Sequence, residues 1–340
     1  MPFRVVGVHS ITLVKYEEAM KNKLSFDLEY DIPLPVLDKR IPKWELDQLI
    51  QRNCPICGTP PNTQICKRPD YLRVFKCAEC SLYFVAPSPS ENELNKFYSS
   101  YHQNHAAQSE SPEQLLRRVK NLSPLDDIRI RTLKKYINLN KINVLDVGCG
   151  KGEFLFLLKK IGANCHGIDL DHTIHAYTNK LGLDQITNCN LKDLNGYQFD
   201  VIILNDVIEH PLNPVSLLNE CASILKPNGK ILIWTPNGDY SKHDKEQTAF
   251  RVDLEHMQYF TSQSIEILAN KLDMDVLHME TLGFHSLQSG FFAKNQLYRK
   301  LKAFTKRFMV FHYLKKALPR TKSATNKKGR YHLFAILNKV

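Results

Sequence analysis

One stretch, VLDVGCGKGEF at Val144–Phe154, constrains the fold of this 340-residue chain more than any other. Four extended, apolar-leaning residues run into a turn carrying Gly148, Gly150 and Gly152, and a helix-like run follows. Glycines at this spacing let backbone approach a ligand closely, and a strand–turn–helix unit of this kind commonly cradles a nucleotide. Downstream, short apolar runs alternate with helical ones. Strands are expected near 144–148, 165–169, 185–189, 200–205, 230–235 and 275–281, with a last one at 331–338. That alternation predicts an α/β fold: a doubly wound, mostly parallel seven-stranded sheet with helices on both faces. A helix around 125–137 leads into it.

The residues beside the turn narrow the choice of nucleotide. The turn lacks the Gly-Lys-Ser/Thr ending that grips phosphates. Asp146 precedes it and Glu153 follows it, poor company for a pyrophosphate but suited to a ligand ammonium. The run CHGIDLD ends a second strand at Asp169, which can take both hydroxyls of a ribose. A nucleoside with an amino-acid ammonium and no phosphate is S-adenosylmethionine. Over 126–284 and the final strand the chain resembles the class I S-adenosylmethionine-dependent methyltransferases, which are Rossmann-like. LDVGCGKGEF looks like their first motif, GIDLD their ribose-binding strand end, FDVIILNDVIEH their fourth motif, and LKPNGKILIWTPN the turn and strand that follow. The resemblance implies a cofactor set of Asp146, Gly148, Gly150, Asp169, Leu170, Asn190, Leu191 and Asn205. In it Gly148 and Gly150 pass under the methionine, Asp169 binds the ribose, and Asn205 lies near the sulfonium. The family often has Asp at the adenine contact where this chain has Asn190; an amide can still bind adenine N6.

A second constellation lies upstream. CPICG and CAEC set Cys54, Cys57, Cys77 and Cys80 as two C-x2-C pairs with 19 residues between them. Two tight turns, each presenting two thiolates, complete a tetrahedral structural zinc site with no open position; two redox or buried pairs are the alternative. Cys66, between the pairs, is expected to be a packed thiol. Together with LYFVAPSPSENELNKFYSSYH, this segment resembles the N-terminal zinc ribbon of bacterial methyltransferases from surface-polysaccharide and secondary-metabolite pathways. Ser90 is expected to cap a short helix with Glu93 at its third position.

Since a sulfonium methyl is already activated, the protein must add alignment, dryness and removal of the acceptor proton. The titratable cluster nearest the expected donor is NDVIEH, and His210, Glu209 and His256 are the catalytic candidates. His210 is the first candidate base, or else shapes the cofactor pocket through backbone hydrogen bonds. Asp206-x-x-Glu209-His210 is also similar to the Glu-x-x-Glu-His motif of ubiquinone-pathway and small-RNA 2′-O-methyltransferases. That likeness implies a divalent metal at Asp206, Glu209 and His210, with His256 a further ligand. His256 and Tyr259 could instead simply pack.

Charge is uneven. After Glu280 there are 14 Lys and Arg and no acidic residue. Within this end, Leu297, Leu301, Phe304, Phe308 and Phe311 make one helical stripe opposite Arg299, Lys302 and Lys306. Three readings stand: the stripe docks on its own sheet, residues 291–318 lie on an anionic membrane, or they bind nucleic acid. The expected division is 1–50 of unknown role, 51–105 zinc ribbon and lead-in, 106–124 linker, and 125–340 the S-adenosylmethionine-binding domain with a basic helical insertion at 285–330. No signal peptide or apolar span is evident, so a cytoplasmic chain is expected, peripheral at the inner membrane face if 291–318 binds lipid. The expected reaction is methyl transfer to a small molecule or a glycan or lipid precursor, at oxygen. An RNA 2′-O-methyltransferase and a non-catalytic binding subunit are the alternatives.

Overall fold

A computed structural model describes residues 41–98, 110–242, 247–283 and 331–340. The expected basic helix at 291–318 lies outside the described residues, as do residues 1–40 of the N-terminal segment. No helix among the described residues is long and apolar enough to cross a membrane. These residues form two compact units, each assembled from several stretches of chain. One gathers 41–98, 207–219, 238–242 and 247–272, and the other 110–206, 220–237, 273–283 and 331–340.

The first unit holds a four-stranded sheet. Strands β1 (Thr63–Lys67), β2 (Arg73–Lys76) and β3 (Tyr83–Val85) form an antiparallel meander. A two-residue strand, β9 (Gln258–Tyr259), adds to β3 with Tyr83 opposite Tyr259. Helix α1 (Glu91–Tyr98) starts as expected, with the Glu93 N–H donating to Ser90 Oγ at 3.2 Å; α7 (Ser262–Lys271) follows a Thr261–Ser264 capping box. Leu72, Val74, Val85, Phe250, Met257 and Tyr259 are buried together in its core. The domain expected at 125–340 is therefore not one compact body. Segments 207–219 and 238–272 count with the cysteine-rich stretch, because β9 completes that stretch's sheet.

The second unit carries seven strands: β4 (Asn143–Val147), β5 (Asn164–Ile168), β6 (Ile186–Thr187), β7 (Phe199–Asn205), β8 (Leu225–Pro236), β10 (Met274–Leu282) and β11 (His332–Lys339). Their order is β10-β11-β8-β7-β4-β5-β6, and only β11 runs antiparallel to its neighbours. Every expected strand is present. The central ones are legible because a parallel strand buried on both faces reads as a continuous apolar run, as Val201–Leu204 does. Helices α4 (Glu153–Lys159), α5 (His175–Lys180) and α6 (Pro214–Ser223) lie in the connections.

Two expectations need correction. Residues 125–137 do not form one helix: a 3-10 turn at Pro124–Asp126 is broken by extended Asp127, whose side chain accepts the Arg129 N–H and caps α3 (Ile128–Leu133). Nor is 106–124 simply a linker. It contains α2 (Pro112–Val119), closed by a Ser111–Gln114 capping box, and Leu115 and Val119 are fully buried in the sheet unit's core.

Candidate active site and metal centres

The sheet reverses direction of growth between β4 and β7, and ligands of open α/β sheets sit beyond the strands' carboxyl ends at such a point. Register brings the candidates level. Val147 pairs with Ile168 on one side and Leu204 on the other, so Gly148, Asp169 and Asn205 leave three adjacent strands together. With strands about 4.8 Å apart, the three lie within roughly 10 Å. Gly148, Gly150 and Gly152 all have positive φ, +66°, +51° and +78°, so the turn needs glycine at each. The Gly148 and Cys149 N–H groups donate to Ile168 O at 2.8 and 3.1 Å, which locks the turn onto β5.

The carboxylates differ in surroundings. Asp169 accepts the Gly150 N–H at 2.8 Å and the Asp171 N–H at 2.9 Å, holding it at the strand end. Asp146 is buried, and its Oδ1 has no hydrogen-bond partner among the described residues. Burial pushes its carboxyl up to about 8, against the pull of Arg129 and with the help of Asp169. Leu170 is exposed and Leu191 buried, while Asn190 caps the 3-10 turn Leu191–Leu194 through a box with Asp193.

Arg129 was missed by the sequence reading. Its guanidinium donates to both oxygens of Asp127, at 3.1 and 2.7 Å, and to Asn205 Oδ1 at 3.1 Å. It lies 4.2 Å from the Phe154 ring centroid and 5.3 Å from that of Trp234. Burial opposes its charge, but Asp127, Asp206 and Asp146 outweigh burial and hold it protonated. Asp127-x-Arg129, an opposite-charge pair at the start of the lead-in to β4, was the available signal.

In the first unit, Cys54, Cys57, Cys77 and Cys80 converge. Sγ separations are 3.4 Å for Cys54–Cys80, 3.2 Å for Cys57–Cys77 and 3.9 Å for Cys57–Cys80. Four sulfurs about 2.3 Å from one zinc stand about 3.8 Å apart, so the set fits that ion. The two turns repeat each other: the Gly58 N–H returns to Cys54 O and the Ser81 N–H to Cys77 O, and both residues have positive φ. Cys66 is packed in the apolar core, where burial pushes its thiol up to about 12.

The same unit gathers Glu209, His210 and His256, each able to offer a ligand atom within 4.8 Å of the others. His256 Nε2 is 3.9 Å from Glu209 Oε1, and the two imidazole centroids are 4.8 Å apart. The Met257 and Gln258 N–H groups donate to Glu209 O at 2.9 and 3.2 Å, tying the two segments together. Of the metal set implied by the sequence, Glu209, His210 and His256 form this group, while Asp206 counts with the sheet unit. Asp206 directly follows β7, whose Asn205 is paired to Trp234 in the sheet, and its own N–H donates to Trp234 O at 2.7 Å.

The family described as "Methyltransferase domain" matches residues 104–279, just over half the chain. A ubiquinone biosynthesis O-methyltransferase of Coxiella burnetii is 28% identical over 133 residues, covering 37% of this chain and 57% of that protein. Its counterpart in Nitrosococcus oceani is 32% identical over 126 residues, 35% and 53% of the two chains. The chain thus spans just over half the length of these curated relatives. Among solved structures, magnesium protoporphyrin IX methyltransferase from Synechocystis PCC 6803, with bound SAH, is similar at 12% identity and a TM-score of 0.46. That match covers 74% of this chain and all of that one.

Proposed function

The chain belongs to the methyltransferase domain family, and we propose that it transfers the methyl group of S-adenosylmethionine to an oxygen of a small molecule. The observation that carries this reading is the level alignment of Gly148, Asp169 and Asn205 at the switch point, beside the buried Asp146 oxygen that has no partner among the described residues. A ligand ammonium satisfies that oxygen. Asp169 keeps lone pairs for the ribose hydroxyls, since a carboxylate offers about four and the two backbone donors use two. Arg129 is suited to the donor's carboxylate, a planar fork for a planar anion. Leu170, Asn190 and Leu191 serve the adenosine in this reading. Oxygen and a small molecule are favoured by the relatives above, which are named as O-methyltransferases of ubiquinone biosynthesis.

The donor supplies an activated methyl, so the remaining chemistry is alignment and loss of the acceptor proton. Glu209, His210 and His256 are the groups proposed to take that proton, and they follow Asn205 within a few residues of chain or pair with those that do. Their donor set, one carboxylate and two imidazoles, also fits a divalent cation. For ligand atoms about 2.1 Å from a metal, opposite donors stand about 4.2 Å apart, so separations up to 4.8 Å need to close only slightly. When bound, such an ion lowers the acceptor hydroxyl's pKa. A zinc ion held by the four cysteines has no open position and serves structure alone.

Methyl-labelled donor incubated with the protein and a fractionated cell extract tests the reading. Label should enter the small-molecule fraction and be released by hydriodic acid, which cleaves O-methyl groups. Asp169→Ala, which loses charge-assisted hydrogen bonds of roughly 1.5–3 kcal/mol each, should weaken donor binding at least tenfold by calorimetry. Label confined to RNA, or an unchanged dissociation constant, would refute the respective half.

A further inference from the structure

The cysteine-rich stretch contributes more than a metal knot, because its last helix reaches one of the two histidines. The Tyr98 hydroxyl, at the end of α1, is 2.7 Å from His210 Nδ1 and 3.2 Å from the Glu255 carbonyl oxygen. The phenol and imidazole rings meet edge-on, with centroids 5.3 Å apart and planes at 73°. A phenol has one proton, and a carbonyl oxygen accepts only. Giving that proton to Glu255 leaves the hydroxyl oxygen to accept a proton from His210 Nδ1. His210 then carries its hydrogen on Nδ1 and keeps a lone pair on Nε2. The free imidazole prefers the other tautomer, so the contact works against the ring's own bias.

Glu255 is itself held in place. Arg68, fully buried and ion-paired to Asp70, donates to His256 O at 2.5 Å and to Leu254 O, bracketing the acceptor of the Tyr98 proton. Trp44 Nε1 donates to Asp70 at 2.9 Å and closes the support.

We propose that Tyr98 is a positioning residue that fixes His210 as the Nδ1–H tautomer, leaving Nε2 as the nitrogen that works with Glu209 and His256. Its chemical consequence rests on the reading of Glu209, His210 and His256 given above, whereas the tautomer does not. Hydrogen bonds of this kind on the remote nitrogen set which imidazole nitrogen binds a metal or takes a proton.

Long-range proton–nitrogen correlation spectra of the full-length, metal-free protein with ¹⁵N-histidine test this directly, at a pH where the ring is neutral. His210→Gln identifies the resonances. The wild type should show protonated Nδ1 and lone-pair Nε2, and Tyr98→Phe, which keeps the ring and removes only the hydroxyl, should swap them. In the same variant Mn²⁺ affinity, read from the electron paramagnetic resonance of free Mn²⁺, should fall about tenfold or more while donor affinity holds. An Nε2–H ring in the wild type, or a tautomer unmoved by Tyr98→Phe, would overturn the proposal. Because the tautomer is read without metal, failure of the wild type to bind Mn²⁺ would count against the metal reading alone. The swap would still uphold Tyr98's role, and its absence would still defeat it.

Discussion

At the scale of single residues, Asp146 and Asp169 end neighbouring strands yet meet different surroundings. Asp169 has two backbone donors, while buried Asp146 has an oxygen with no partner among the described residues and a carboxyl raised to about 8. Arg129 pulls it down and Asp169 pushes it up, but burial dominates. If Asp146 receives the donor's ammonium, binding favours its ionised form, so below pH 8 binding must displace the carboxyl proton. Donor affinity should therefore rise from pH 6 toward 8 and level off above, and Asp146→Asn should weaken binding and flatten the profile in calorimetric titrations. Stability runs the other way. A carboxyl whose folded value exceeds its ordinary 3.8 binds its proton more tightly in the fold, so the fold loses stability as pH rises from about 4 to about 8. Ligand-free Asp146→Asn should gain stability over the wild type at pH 8 and little at pH 4, by urea denaturation. Equal pH dependence in both proteins would rule out the assignment.

At the scale of elements, strands were easier to see than the helix that precedes them. Val201–Leu204 in β7 is apolar without interruption because both faces of a central parallel strand are buried. Helix α2 reads PEQLLRRV, short, charged and flanked by a polar stretch, so its burial is decided by what it meets. Leu115 and Val119, four residues apart and thus on one face, join the core that holds Leu155 and Leu158 of α4. Leu115→Ala should cost about 2–5 kcal/mol by cavity formation, measured as a lower denaturation midpoint with an unchanged slope. A loss under about 0.5 kcal/mol, ordinary for a surface site, would mean that α2 is indeed a linker. The capping box was present in the letters Ser111 and Gln114, but a cap marks where a helix starts and says nothing of whether it is buried.

At the scale of the whole molecule, chain order and compact units part company. Segments 207–219 and 238–272 interrupt the sheet unit's sequence and count with the cysteine-rich stretch, through the pairing of β3 with β9 and the Val85 N–H bond to Met257 O. Cys77→Ser should therefore lower zinc content and also speed amide exchange at Met257–Tyr259, far along the chain, while β4, β5 and β7 stay protected in hydrogen-exchange mass spectrometry. Full protection of 257–259 after zinc loss would show that the sheet holds without the metal. Sequence alone determined the sheet, the glycine turn, Asp169 and the four cysteines, because each depends on local spacing: a run of apolar residues, glycines two apart, thiols on one turn. Tertiary structure decided what depends on contacts between distant residues. It brought His256 to Glu209 and His210, set half-buried Arg129 between Asp127 and Asn205, and put Tyr98 against a ring 112 positions away. No spacing rule encodes such pairs, since the chain between their members is free to take any path that buries its apolar face.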